Sequence, residues 1–80
     1  MNPDTALEDQ VREALSAHVE PPGDRDCALV LKSLELVMLA EDLERRFGFL
    51  VAARELVPAN FGSLARLIAY VAQRTGEGGR

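Results

Sequence analysis

The chain has 80 residues, 48% of them of apolar type, and a formal net charge of −4. That length supports one small domain with a modest core, too small to enclose a large active-site cleft. Its single cysteine, Cys27, excludes an internal disulfide framework, and no paired Cys/His spacing offers a structural zinc site, so packing has to hold the fold together.

The first element is "TALEDQVREALSAHV". Leu7, Val11, Ala14, Leu15 and His18 fall at helical spacing, and Thr5 with Glu8 has the form of a capping box. This predicts a helix over about residues 5–19. "EPPGDRD" then breaks it, because two prolines remove backbone donors and Gly23 frees the chain to turn. A polar loop leads on to the apolar run "ALVL".

The second helix has the clearest pattern. Leu36, Leu39, Ala40, Leu43 and Phe47 repeat at three and four residues, with Gly48 as a C-terminal stop. Glu35 in the first turn and Arg45 and Arg46 in the last suit the helix dipole, each contributing about 0.3–1 kcal/mol. Leu34, Met38, Glu41 and Arg45 lie on the opposite face. Two large apolar side chains on that face imply either a partner surface or a covering by the long loop.

"AARELV" before Pro58 allows one short helix or turn. Ser63 is the expected N-cap of a last helix whose buried stripe is Leu64, Leu67, Ile68 and Val71. The glycine-rich tail, from about 75 to 80, has nothing to bury and is expected to be flexible. No strand alternation, repeat or low-complexity block is present. Three main helices and a short one can close a single core only as a small all-α bundle, one domain over residues 1–80.

No apolar run is long enough to cross a bilayer, and the acidic start resembles no signal peptide, so a cytoplasmic location and no membrane partner are expected. Residues 1–44 carry 11 acidic and 3 basic groups (−8), and residues 45–80 carry 2 acidic and 6 basic groups (+4). The second helix is mainly acidic, which speaks against nucleic acid as a partner. A serine hydrolase would need a base beside Ser33, and His18, the only histidine, has no evident orienting acid in the sequence. Cys27 has no basic surroundings to activate it and reads as a small, partly buried side chain. Glu41 and Asp42 are adjacent and diverge on a helix, so they make no metal site.

Ser33 opens the second helix, where backbone N–H groups are unpaired and the dipole is positive. From spacing alone it reads as an N-cap. The surrounding segment "LVLKSLELVMLAEDLERRFGF" resembles the signature of acyl carrier proteins, in which a Leu-Gly-Leu-Asp-Ser-Leu run opens the second helix and a Phe-Gly pair closes it. Leu29, Leu31, Ser33, Leu34, Leu43, Phe47 and Gly48 fall on matching positions. "ANFGSLARLIAYVAQ" is similar to the start of that family's last helix, so the resemblance covers nearly the whole chain.

The resemblance implies that Ser33 is esterified to 4′-phosphopantetheine, whose terminal thiol holds an acyl group as a thioester. The chain would then be a monomeric, non-catalytic carrier. Its partners would be a phosphopantetheinyl transferase and the acyl-loading, condensing or acyl-transferring enzymes of polyketide, fatty-acid or related biosynthesis. The second helix would be the recognition face, giving partner-binding roles to Lys32, Leu34, Glu35, Met38, Glu41 and Arg45.

Two positions depart from the family pattern. Val30 replaces a usual glycine, and Lys32 replaces the aspartate before the serine, reversing a charge where partner enzymes dock. Either a dedicated partner carries a complementary acidic group, or the chain is an unmodified, carrier-like interaction module.

Overall fold

The computed structural model describes residues 3–76, and four α-helices and one 3-10 turn make up its regular structure: α1 Pro3–Ser16, α2 Ser33–Phe47, the 3-10 turn Ala53–Glu55, α3 Pro58–Phe61 and α4 Leu64–Thr75. The fold is the small all-α bundle that the periodicity implies, three main helices and one short one. Of the tail expected from about residue 75, Thr75 instead ends α4, its Oγ1 donating to the Val71 carbonyl at 2.9 Å, and Gly76 caps the helix at φ 81°; the rest lies outside the described residues.

The core is built where the helical stripes meet. Leu7, Val11, Ala14 and Leu15 of α1 face Leu39 and Leu43 of α2, and Leu64, Leu67, Ile68, Tyr70 and Val71 of α4 close the third side. Phe61 of α3 caps this cluster. Tyr70 is a core residue beyond the four named for the last helix; its ring packs at 5.4 Å from that of Phe61 and edge-on to Phe49 at 6.0 Å.

The helix ends differ from expectation for identifiable reasons. α1 starts at Pro3, whose fixed φ and missing N–H suit a first helical position, so Thr5 does not precede the first turn. The Thr5 side chain, half of the expected capping box, lies outside the described residues. α1 also stops at Ser16, and residues 17–19 form a tight turn in which the N–H groups of His18 and Val19 both donate to the Leu15 carbonyl at 3.0 Å. Pro21 disfavours helical backbone just before it, and this turn releases His18 toward α2.

The region between α2 and α4 holds two elements where one was expected. The 3-10 turn covers Ala53–Glu55, and "PANF" forms the one-turn α3 with Pro58 in its first position. Gly48 closes α2 in the left-handed conformation, φ 75°, its N–H donating to the Glu44 carbonyl at 2.9 Å. Ser63 caps α4 as expected, its hydroxyl accepting from the Arg66 N–H at 3.1 Å.

The long α1–α2 loop is pinned to the rest of the molecule at several points. Arg12 donates to the Pro22 carbonyl at 2.9 Å, the Ala65 N–H to the Arg25 carbonyl at 2.8 Å, and the Leu29 N–H to the Gly62 carbonyl at 2.8 Å. Ala28 and Ser63 share an isolated antiparallel bridge, and the described residues form no strand. Gly62 is therefore a junction between α3, α4 and the loop.

A Cβ on Gly62 would lie 2.4 Å from the Pro58 carbonyl oxygen, a backbone atom that cannot swing aside. Gly62→Ala should push α3 away from α4 and cost about 1–3 kcal/mol, in the range of other overpacked sites. For a domain of this size, each kcal/mol lowers the melting midpoint by about 4–8 °C. A variant that melts with the wild type would show that α3 shifts freely.

Candidate functional site

The approach to α2 alternates. Leu29 and Leu31 turn inward onto the core, while Val30 between them is 89% exposed. Lys32 is extended, φ −71° and ψ 159°, and occupies the N-cap position, so Ser33 is the first helical residue and not the cap. An ammonium cannot accept a hydrogen bond, and the lysine side chain makes no capping bond. Only the reciprocal half of a capping box forms, with Glu35 Oε1 accepting from the Lys32 N–H at 2.9 Å.

Ser33 is consequently exposed, and its hydroxyl makes no hydrogen bond among the described residues. It sits at the positive end of a 15-residue helix whose first N–H groups have no side-chain acceptor, beside the Lys32 ammonium. The Glu35 carboxylate offsets part of this potential. An anionic ester on Ser33 Oγ would meet first-turn N–H groups and an ammonium together.

An apolar cleft of about 150 Å³ opens beside this helix start. It is lined by Leu29, Leu31 and Leu36 on one side and Leu56, Val57 and Phe61 on the other. No polar side chain lines it. It can take a short hydrocarbon segment.

The outward face of α2 stands clear of the loop. Leu34 is 69% exposed and Met38 43%, so the alternative in which the loop covers them does not hold. Glu41 and Arg45 are also exposed, and Glu35 is half-buried by its capping bond. Val37, 45% exposed, joins this face. The sequence contains the signal for it, since Val37 lies about 160° around the helix from Leu39. Exposed Val30 was likewise readable from the alternation of Leu29, Val30 and Leu31.

A second polar cluster joins α1 and its turn to α2. His18 Nε2 is 3.2 Å from Asp42 Oδ2, Arg46 Nε donates to Asp42 Oδ1 at 2.7 Å, and Arg46 also pairs with Glu13 at 3.0 Å. His18 thus does have an acidic partner, contrary to the sequence reading. The pair cannot serve Ser33. Asp42 is nine residues along α2 from it, about 14 Å along the axis at 1.5 Å per residue. Glu41 and Asp42 do diverge, one exposed and the other buried. Among the described residues no group of three His, Cys, Asp or Glu could hold a metal, and Cys27 is exposed, not partly buried.

Glu55 ties the far end together. It accepts from the Ala52 N–H at 3.0 Å and from the Tyr70 hydroxyl at 3.0 Å, and pairs with Arg74 at 2.7 Å. Burial and the neighbouring Glu55 carboxylate push the Tyr70 hydroxyl up to about 12. Burial also acts to raise Asp42, but the hydrogen bonds and charges of Arg46 and His18 outweigh it and hold the carboxyl below its ordinary value.

These shifts set the pH window of the fold. Asp42 contributes fully above its unfolded value near 3.8 and progressively less as pH falls through its lower folded value. Tyr70 contributes fully below about 10, and its contribution is lost as pH rises toward about 12. Asp42→Asn should lower the midpoint at neutral pH, a charged hydrogen bond being worth about 1.5–3 kcal/mol, and flatten the acid limb of melting against pH. Tyr70→Phe should flatten the alkaline limb. Limbs unchanged in slope would remove both groups from the linkage.

Comparison with family models, curated proteins and solved structures yields no match.

Proposed function

We propose that the chain is an acyl carrier whose attachment site is Ser33. The observation that carries this reading is an exposed, unengaged serine hydroxyl as the first residue of α2, at the positive helix end and beside an apolar cleft. The likeness of residues 29–49 to the carrier signature supplies the identity of the group. 4′-Phosphopantetheine, when attached, supplies a thiol that holds an acyl chain as a thioester.

Ser33 Oγ forms the new ester bond to the coenzyme A phosphorus nearer the pantetheine, the pyrophosphate P–O bond breaks, adenosine 3′,5′-bisphosphate leaves, and the hydroxyl proton passes to the transferase. The N–H groups of the first turn and Lys32 would hold the phosphodiester, with Glu35 keeping the helix start in shape. The Leu31–Leu36–Val57 cleft gives an apolar acyl segment a place out of water. Catalysis belongs to the partners: a transferase first, then acyl-loading, condensing or acyl-transferring enzymes.

Lys32 favours a second reading, an unmodified helical interaction module, because it places a positive charge where a transferase with a basic docking surface would approach. Intact mass after incubation with coenzyme A and several transferases separates the two. A gain of one phosphopantetheine supports the carrier, and its absence with every transferase overturns it. Among the described residues no helix is long and apolar enough to cross a membrane.

A further inference from the structure

The charges of α2 are not all available to a partner. Of its four acidic residues, Asp42 is buried against His18 and Arg46 at 3.2 and 2.7 Å, while Glu35 and Glu44 are half-buried and each accepts a backbone N–H, from Lys32 at 2.9 Å and from Val51 at 2.8 Å, without losing its charge. Only Glu41 is exposed without a hydrogen bond or ion pair among the described residues. Among the basic groups, Arg46 is held by Asp42 and Glu13, whereas Lys32 has no acidic partner among the described residues and Arg45 only approaches Asp42 at 3.8 Å, its side chain 73% exposed. Glu41 and Arg45 are helix neighbours one turn apart and offset each other. The outward surface at the start of α2 is therefore apolar, with Val30, Leu34, Val37 and Met38 exposed, and exposed Lys32 stands at its N-terminal edge with Glu35 half-buried behind it. The rest of the chain, at −4 overall, is acidic.

We infer that this face docks a protein surface presenting apolar side chains beside a carboxylate, the carboxylate meeting Lys32 and the apolar side chains covering Leu34, Val37 and Met38. A basic partner surface is disfavoured at this edge, since it would bring like charge to Lys32. The inference deepens the reading of the Ser33 surroundings as a docking face and specifies the partner's chemistry.

The test uses two amphipathic helical peptides with the same leucine stripe, one flanked by glutamates and the other by lysines, titrated into the unmodified chain with NMR detection. The chain's net negative charge draws the lysine peptide, so a preference for the glutamate peptide on this face cannot come from bulk electrostatics. The glutamate peptide should shift the signals of Val30, Leu34, Val37 and Met38, and Lys32→Glu should weaken it about fivefold or more. Lys32 makes no side-chain hydrogen bond or ion pair among the described residues, and a retained helical spectrum checks that the variant is intact. The inference is overturned if the lysine peptide occupies the face as tightly, if neither peptide shifts these residues, or if Lys32→Glu leaves the affinity unchanged. Because the peptides are read on unmodified protein, failure of Ser33 to gain phosphopantetheine would overturn the carrier reading alone, and failure of the peptides would leave a mass gain standing.

Discussion

Replacing Ser33 with alanine should abolish the gain of phosphopantetheine mass entirely while leaving the fold intact. The chain contains three serines, and the other two are committed. Ser16 donates to the Glu13 carbonyl at 2.8 Å, and Ser63 is buried with its oxygen accepting from the Arg66 N–H at 3.1 Å. Only Ser33 combines exposure, a free hydroxyl and a helix N-terminus, the three conditions for an oxygen that must reach an incoming phosphorus and then hold an anion. Because its side chain makes no hydrogen bond among the described residues, its loss should change stability by no more than about 0.5 kcal/mol. Intact mass and circular dichroism on the same sample read both halves. A Ser33→Ala protein that still gains the mass would move the attachment site elsewhere.

How much of this was legible in the sequence varies with the range of the interaction. Periodicity placed the α2 stripe and the outward direction of Leu34 and Met38, and residue type at the helix ends placed the Gly48 stop and the Ser63 cap, because each depends on residues within about one or two turns. The start of α2 was less legible. Ser33 has the better capping chemistry, yet the chain enters through Lys32, whose backbone Glu35 secures, and that leaves the serine hydroxyl free.

The end of α1 and the role of His18 were not legible, because the interaction concerned joins residues 24 apart in sequence. A histidine at helical spacing after Leu15 looks like part of the stripe until the bundle closes and Asp42 comes within reach. The exposure of Cys27 is equally a product of where the loop is pinned, by Arg25 and Leu29 on either side of it. α3 is not legible in the sequence because four residues are too few to show a period.

The same distinction between local and tertiary effects governs the second large effect, on opposite faces of one helix. Leu39 and Leu43 are fully buried against α1 and α4, and truncating either to alanine should cost about 2–5 kcal/mol. A domain of this size has on the order of 3–5 kcal/mol to lose, so these variants should be largely unfolded at ordinary temperature. Leu34→Ala and Met38→Ala remove side chains that the core does not use, and each should stay within about 0.5–1 kcal/mol of the wild type. Their cost should appear in exchange with a cognate enzyme. An anchor residue is worth about 2 kcal/mol or more on truncation, which at about 1.4 kcal/mol per tenfold lowers transfer roughly thirtyfold. Measuring the melting midpoint and the transfer rate for all four variants therefore separates the two faces. Should Leu34→Ala and Met38→Ala melt early and lose transfer only in proportion, the outward face would be a part of the fold and not a site of recognition. Near-normal melting with crippled transfer means that α2 packs with Leu39 and Leu43 and docks with Leu34 and Met38, with Ser33 at its N-terminal end.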